Sequence, residues 1–465
     1  MTYDTKSDYD FETVVSHSFM GNMKEEMTPG EMKARGIVSL GGAEMDFATA
    51  PSVIDAIVRR AKNGLFGYTI ADDSYLKPIV WWMRHMRNID ILPEWIVPTL
   101  GTIYSVATAI RLFCPPGSGI VTMTPVYYRY EQAAARLGRQ TFHCPLVEQD
   151  GVYEIDFECL ERLMAKEQCC LVILCNPHNP IGRVWNRREL TELARLSAKY
   201  EVPVFSDEIF AEITFDGRET IPYISIEEGR HLAITATSLG KTFNFTGVNQ
   251  ANLMIPDDRL REAFIRQRTA DHFGSIDPLF HAAIGGAYCE DGAAWVKALK
   301  KHLDNNRRRL MQAFAPASRG SGVPGVRDKG VGSVARAPRG EQFSKFTGQA
   351  PGSGNPLDIG GVGCLSPIEG TFVAWIRWEL PQMHGGKTLM GGETLMSGET
   401  LVGSETLMSG EALTGFLRRE MLLDLGPGLE YGPDCGLYTR MNFATTTGQL
   451  EGALERIRQW REEFI

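Results

Sequence analysis

The sequence predicts an α/β fold, with a mostly parallel sheet flanked by helices and a smaller α+β C-terminal domain. Two observations favour this class. From about residue 46 to 285, short apolar runs alternate with helical patterns, as in strands joined by crossover helices. At 465 residues, with 43% hydrophobic and 23% charged residues, the chain is also long enough for two or three globular domains.

The individual elements follow from local patterns. The strand candidates are GIVTMTP, CCLVILCNP, VPVFSDE and HLAITATS. The segments VIDAIVRRA and ELTELARLSAKY have helical periodicity. The residues on one face of each helix are Val53, Ile57 and Ala61 in the first, and Leu190, Leu193 and Ala194 in the second.

The C-terminal part has a different composition. Residues 315–362 are rich in Gly, Pro, Ser and Arg, which predicts a surface insertion. GTFVAWIRW then predicts a strand, and QLEGALERIRQWREEF at the end predicts an amphipathic helix. We predict a large domain over 46–285 and a small domain formed by 1–45 and 286–465.

An internal repeat fills residues 385–414, as GGKTLM, GGETLM, SGETLV, GSETLM and SGEALT. Its six-residue period is a multiple of the strand period, so it fits a short β-solenoid. It equally fits a low-complexity expansion, and the paired glycines favour that alternative.

Charge and cysteine content exclude several classes. The 48 basic and 57 acidic residues give a net charge of -9 without a basic stripe, so we expect neither nucleic acid nor a membrane surface as partner. The polar, acidic start MTYDTKSDYDFETVV predicts a cytoplasmic protein. Nine cysteines without CxxC spacing predict buried thiols and no metal site.

Lys241 lies in TSLGKTFNFTG, directly after a predicted strand. A phosphate-binding P-loop would need a glycine five residues before Gly240, where Thr235 stands. A second GKT, at 386–388, has Pro381 at the equivalent position. Neither segment is predicted to be a P-loop.

Four polar residues follow strand-like runs, where α/β sheets place their ligand crevice. They are Asn179 in CNPHNPIG, Asp207 in FSDEIF, Lys241 in SLGKTFNF and Arg440 in LYTRMNFA. Each alone is weak evidence, because single polar residues after strands are often helix caps or surface charges. Their order and spacing together predict a site for a small-molecule substrate.

The sequence resembles the fold-type I, aspartate aminotransferase-like enzymes that use pyridoxal 5'-phosphate (PLP), and among them the PatB/MalY-like carbon-sulfur β-lyases. The stretches that carry the resemblance are MDFATAPSVIDAI, GLFGYT, PEWIVPTLGTIYSVATAI, TPVYY, CNPHNPIGRVW, SDEIF, SLGKTFNFTG and TRMNFA, in family order. They cover most of residues 44–300 and resume near 368, which leaves the insertion and the repeat outside.

The resemblance implies roles for the residues around the cofactor ring. Lys241 would be the amine that reacts with the cofactor aldehyde and then moves the substrate Cα proton. Asp207 would keep the pyridine nitrogen protonated. Asn179 would donate to the phenolic oxygen, and Tyr127 of TPVYY would stack on the ring.

The resemblance also implies where the cofactor phosphate binds. Gly101 would allow close approach to the start of a helix, where Thr102 and Ile103 supply backbone N-H groups. The hydroxyl of Ser238 would add a donor. Tyr68 of GLFGYT would reach the phosphate of a neighbouring subunit, which implies a homodimer.

Arg440 matches the family arginine that holds the substrate α-carboxylate. Three positions depart from the pattern. Phe210 stands where aminotransferases usually carry tyrosine and the lyases often histidine, and Asn249 replaces an arginine that many aminotransferases use on the phosphate. GGAEMDF stands where the lyases typically read WVADMDF.

The resemblance implies a carbon-sulfur β-lyase that cleaves L-cystathionine or related L-cysteine S-conjugates to a thiol, pyruvate and ammonia. Three alternatives stay open. They are a PLP-dependent aminotransferase of class I/II, a PLP enzyme acting on another β- or γ-substituted amino acid, and a non-catalytic PLP-binding regulatory protein.

Overall fold

The structure is a computed structural model that describes residues 9–16, 21–26, 30–149, 151–314, 357–358, 363–378 and 410–464. Within these ranges helices and strands alternate along the first two thirds of the chain, as predicted. The predicted insertion at 315–362 lies outside the described residues except for 357–358, and the repeat at 385–414 lies outside them except for 410–414. Those last five residues begin a helix.

The α-helices are α1 Met23–Glu26, α2 Gly30–Ala34, α3 Pro51–Asn63, α4 Asp73–Arg87, α5 Thr102–Phe113, α6 Arg129–Arg136, α7 Phe157–Met164, α8 Arg187–Tyr200, α9 Leu239–Thr242, α10 Asp258–Ala270, α11 Pro278–Ala287, α12 Glu290–Ala313, α13 Gly410–Glu420 and α14 Thr447–Phe464. Short 3-10 helices lie at Pro93–Trp95, Tyr223–Ser225, Glu227–Leu232 and Gly428–Glu430.

The strands are β1 Val38–Ser39, β2 Ile96–Thr99, β3 Gly119–Thr122, β4 Gln140–His143, β5 Val147–Gln149, β6 Val152–Glu154, β7 Cys169–Cys175, β8 Val204–Asp207, β9 Ala233–Thr237, β10 Ala251–Met254, β11 Leu357–Asp358, β12 Gly363–Leu365, β13 Val373–Trp378, β14 Leu423–Asp424, β15 Gly426–Pro427 and β16 Tyr438–Asn442.

The larger sheet has seven strands in the order β2-β10-β9-β8-β7-β3-β4. Only β10 runs antiparallel to its neighbours, and the pairs from β9 to β4 are all parallel. The order reverses between β3 and β7, because β3 is flanked by the later strand β7 on one side and by β4 on the other. A mostly parallel sheet is therefore confirmed.

Both faces of this sheet are covered, as the apolar runs require. Along β7, Leu171 and Ile173 belong to one buried cluster. Val172 and Leu174, which point the other way because strand side chains alternate, belong to a second and larger cluster. The β7 run CCLVILC, buried except for the partly exposed Cys170, is thus a central strand between two helical layers.

The predicted helical faces are confirmed in α8 and only partly in α3. Leu190, Leu193 and Ala194 are buried. In α3, Val53 is buried, while Ala61 is exposed. The contact of α3 is centred one turn earlier, because Gly286 of α11 packs against Ser52 and Ala56 so closely that a Cβ there would lie 2.5 Å from the Ser52 carbonyl oxygen.

A second sheet carries the C-terminal part, with five antiparallel strands in the order β11-β12-β13-β16-β15. Arg440 lies on β16, paired with Trp375 on one side and Gly426 on the other. The helix α14 packs with Leu450, Ala453, Leu454 and Ile457 buried, as its periodicity predicted. The division into two domains stays a prediction.

The described helices include none that is long and apolar enough to cross a membrane.

Candidate active site

Three adjacent parallel strands end at the same level and bring three of the predicted polar residues together. Cys175 of β7 pairs with Asp207 of β8, which pairs with Ala236 of β9. Asn179 and Lys241 follow four and five residues after the two outer positions, so both return over the carboxyl end of the sheet. The crevice lies where an open α/β sheet is expected to bind its ligand.

Asp207 is completely enclosed at the end of β8. The hydroxyl of Tyr130 donates to its Oδ2 at 2.6 Å, and the Ile209 N-H donates to Oδ1 at 3.3 Å. Burial raises the pKa of Asp207 to about 6, while the Tyr130 hydrogen bond and the Lys241 charge oppose the rise. A carboxyl group with this pKa ionises readily when a cationic group lies beside it.

Sequence reasoning did not single out Tyr130. The available signal was its spacing, because Tyr130 lies three residues after Tyr127 at the start of α6. Tyr127 lies two residues before α6 begins, and its ring meets that of Tyr130 edge to face with 5.6 Å between the centroids. Tyr127 itself is half-buried, and burial raises its pKa.

Lys241 lies in the short helix α9, whose N-cap is Ser238. Its Nζ donates to the Ala43 carbonyl at 2.8 Å and lies 5.8 Å from the ring centroid of Phe210. Burial and, to a smaller extent, the charge of Arg440 lower the pKa of Lys241 to about 8, while Glu44 and Asp207 oppose the change. A substantial fraction of this amine is therefore neutral near physiological pH, as a nucleophile or base requires.

Arg440 reaches the crevice from the small sheet. Its Nη1 donates to Asn179 Oδ1 at 3.4 Å and its Nη2 to the Gly41 carbonyl at 2.6 Å, while Nε is buried without a hydrogen-bond partner in the described structure. The guanidinium also lies 5.1 Å from the ring centroid of Tyr431. This arginine is held in place with one donor still available for an anion.

The loop Gly41–Phe47 closes the crevice through its backbone. Besides the Arg440 and Lys241 contacts, Asn442 Nδ2 donates to the carbonyls of Gly42 and Glu44 at 2.8 and 2.6 Å. Asn244 Nδ2 donates to Met45 and Phe47 at 3.0 Å each. Because backbone carbonyls make these contacts, the loop keeps its position although its side chains differ from the WVADMDF pattern.

The start of α5 is where the sequence predicts that the cofactor phosphate binds. Gly101 is its N-cap with φ 96° and ψ 165°, a combination essentially restricted to glycine. The N-H groups of Thr102 and Ile103 in the first turn have no intrahelical acceptor. The backbone of Asn249 runs beside this turn, 3.7 Å from where a Gly101 Cβ would lie, while the Asn249 side chain is exposed.

Two other predicted residues lie at the edges of this arrangement. Ser238 Oγ donates to the Gln250 carbonyl at 3.0 Å and accepts from the Gly240 N-H at 3.0 Å. Tyr68 is fully exposed, at 101% of its reference area. Phe210 is buried edge to face against Phe372 at 5.1 Å, so it packs beside Lys241 without offering a hydrogen bond.

The fold and the site together define the class of protein. Residues 35–328 match the model of the family "Aminotransferase class I and II", and the chain belongs to this family.

Particular relatives sharpen the comparison. The chain is 32% identical to cystathionine beta-lyase PatB of Bacillus subtilis (strain 168) over 265 residues, which cover 57% of this chain and 68% of PatB. It is also 32% identical to MalY of Escherichia coli (strain K12) over 266 residues, 57% of this chain and 67% of MalY. Among solved structures, cystalysin from Treponema denticola, which contains a pyridoxal 5'-phosphate cofactor, superimposes with a TM-score of 0.77 at 25% identity, over 98% of this chain and 100% of cystalysin.

These comparisons confirm the fold-type I architecture and the predicted relationship to the PatB/MalY-like lyases. They do not test the role of any single residue. The roles of Lys241, Asp207, Asn179, Tyr127 and Arg440 therefore stay proposals.

Proposed function

We propose that the protein is a PLP-dependent carbon-sulfur β-lyase. With one water, it converts an L-cysteine S-conjugate such as L-cystathionine into a thiol, pyruvate and ammonia. The observation that carries the proposal is Lys241, an enclosed amine with a pKa of about 8, in one crevice with the buried Asp207 carboxyl and the Arg440 guanidinium. The 32% identity to cystathionine beta-lyase PatB supports the reaction type.

The residues present fit PLP. The first turn of α5, with Gly101, Thr102 and Ile103, suits a phosphate, and the Ser238 hydroxyl, which now donates to the Gln250 carbonyl, would add a donor. Asp207 would face the ring nitrogen, where its pKa of about 6 leaves it ionised at neutral pH. When bound, the cofactor supplies an aldehyde and a ring that withdraws electrons from Cα.

The protein's own groups account for the remaining steps. Arg440 would hold the substrate α-carboxylate through its Nε, which has no partner among the described residues, and through Nη2, which now donates to the Gly41 carbonyl. Asn179 accepts from Arg440 through Oδ1, so its Nδ2 would donate to the cofactor's phenolic oxygen, and Tyr127 would cover the ring. The neutral amine of Lys241 would take the Cα proton and return it to the departing sulfur, so that the Cβ-S bond breaks as a thiol leaves.

The test is release of pyruvate and free thiol from L-cystathionine by the cofactor-loaded protein and its K241A variant. A matched control is Lys297→Ala, since Lys297 is an exposed lysine on α12. We expect wild type and K297A to release both products and K241A to release neither. Equal release by K241A would refute the role of Lys241, and no release by wild type would refute the lyase.

An aminotransferase is the second candidate, because the matched family is described by that activity. The Lys241 amine would act in both the lyase and the aminotransferase reaction, which differ in the atom that receives the Cα proton. Keto-acid-dependent consumption of an amino acid without thiol release would identify this alternative. Absence of turnover with any amino acid would instead indicate a PLP-binding protein without catalysis.

We also infer a homodimer. The segment around Tyr68 exposes four large apolar side chains, which are Leu65, Phe66, Tyr68 and Ile70, and such a patch commonly marks an interface. Tyr68 would then reach the neighbouring site. A mass of one subunit in light scattering would contradict this.

A cytoplasmic location belongs to the same proposal. Apart from Cys364, the cysteines that the structure describes are free thiols, which suits a reducing compartment.

A further inference from the structure

The rim of the crevice carries a cation that the proposed reaction does not use. Arg129 is the first residue of α6 and is exposed. Its Cζ lies 5.5 Å from the ring centroid of Tyr128. That ring contacts Tyr127 at 5.3 Å and Tyr431 at 6.1 Å, so a tyrosine cluster fixes the guanidinium beside the site.

The positive charge of Arg129 acts on the Lys241 amine. After burial and Arg440, Arg129 contributes to the lowered pKa of Lys241. The neighbouring Tyr127 and Tyr128 raise the pKa of Arg129 itself, Tyr127 most strongly. Among the described residues no carboxylate forms an ion pair with Arg129, so its charge is available to a ligand.

An acidic group lies at the same rim. Glu430 ends the 3-10 helix Gly428–Glu430 and directly precedes Tyr431, the residue that contacts both Tyr128 and Arg440. Partial loss of water raises the pKa of Glu430, while the charges of Arg440 and Arg129 oppose that rise. Within the described ranges Glu430 also has no ion-pair partner, although Arg129 lies within electrostatic reach.

Opposite charges at one rim that do not pair with each other suit a ligand that carries both signs. Arg440 is assigned to the α-carboxylate, so a second carboxylate on the substrate needs another cation. We propose that Arg129 and Glu430 form a distal subsite that selects S-conjugates ending in a second amino-acid head group, with Arg129 binding its carboxylate and Glu430 its ammonium. The inference rests on the proposed function and names its substrate class.

The test uses four conjugates of L-cysteine that differ only in the distal group. S-(2-carboxyethyl)-L-cysteine carries the carboxylate, S-(2-aminoethyl)-L-cysteine the ammonium, S-propyl-L-cysteine neither, and L-cystathionine both. We measure kcat/KM for each and take the ratio to the propyl conjugate, which cancels general effects of a substitution on catalysis.

Arg129→Gln is expected to lower the carboxyethyl ratio about 10-fold, as loss of one charge-assisted contact predicts, and to leave the aminoethyl ratio unreduced. Arg129→Lys should restore part of the loss. Glu430→Gln is expected to lower the aminoethyl ratio and to leave the carboxyethyl ratio unreduced. Both R129Q and E430Q should lower the cystathionine ratio. The matched control is Arg136→Gln, which removes an exposed arginine from the same helix. Ratios for R129Q within about two-fold of wild type would overturn the subsite.

A binding measurement separates this inference from the lyase assignment. The α-methyl analogues of the carboxyethyl and propyl conjugates lack a Cα proton and cannot react, so calorimetric titration of the cofactor-loaded protein gives their dissociation constants. Preference for the carboxyethyl analogue in wild type, lost in R129Q and kept in R136Q, supports the subsite even if no thiol is released from any conjugate. Equal affinity for both analogues in wild type refutes it.

Discussion

The buried carboxyl of Asp207 makes the cofactor-free protein less stable, and this gives a sharp prediction. Its pKa rises from 3.8 to about 6 because burial removes water from the charged form. Between these two values the folded state holds more protons than the unfolded state. Stability therefore increases as pH falls through this window, and the cost of ionisation is fully present above pH 6.

The magnitude follows from the same two values. A rise from 3.8 to about 6 corresponds to about 3 kcal/mol at pH 8. Asp207→Asn keeps the shape and an oxygen for the Tyr130 hydroxyl, yet it cannot ionise. We expect the cofactor-free D207N protein to be more stable than wild type by up to about 3 kcal/mol at pH 8, and by about half of that at pH 5. The same variant should lose cofactor-dependent activity.

The assay is urea unfolding of cofactor-free wild type and D207N at pH 8 and pH 5. Asp55→Asn serves as control, because Asp55 is an exposed aspartate on α3. Its stability should follow that of wild type at both pH values. If D207N were no more stable than wild type at pH 8, or if the difference did not shrink towards pH 5, the account of Asp207 as a buried, costly carboxylate would be wrong.

Three further predictions concern single contacts. Tyr130→Phe removes the 2.6 Å hydrogen bond to Asp207, so it should raise the pKa of Asp207 above 6 and weaken PLP binding about 10-fold. Equilibrium dialysis measures the PLP binding. The control is Tyr200→Phe, which removes a hydrogen bond to Glu161. Arg440→Lys should raise KM for the amino-acid substrate by about 10-fold or more, because lysine cannot make two parallel hydrogen bonds to a carboxylate. An unchanged KM in steady-state kinetics would show that Arg440 does not bind the carboxylate. Leu193→Ala leaves a cavity at a completely buried position of α8, so the free energy of unfolding in urea should fall by about 2 to 5 kcal/mol. A change below about 1 kcal/mol would contradict the packing described.

Local patterns in the sequence determined four of the seven strands of the large sheet and the identity of its polar residues. The four strand candidates are β3, β7, β8 and β9, because a central strand needs a continuous apolar run that no loop would carry. Asn179, Asp207 and Lys241 could be selected because strand ends are recognisable in sequence, and parallel strands bring their carboxyl ends together. Arg440 was selected by the same rule, yet it lies inside β16 and does not follow a strand. Motif resemblance added the cofactor.

What only the tertiary structure decided is the environment of each group. Lys241 meets the Ala43 carbonyl across 198 positions, Tyr130 meets Asp207 across 77, and Arg440 meets Asn179 across 261. The pKa of a buried group depends on solvent exclusion and on neighbouring charges from distant segments, so no local pattern contains it. The same reason hid the position of Arg129 and Glu430 at one rim, since each is an ordinary surface charge in the sequence until the fold places Arg129 beside Tyr128 and Glu430 next to Tyr431.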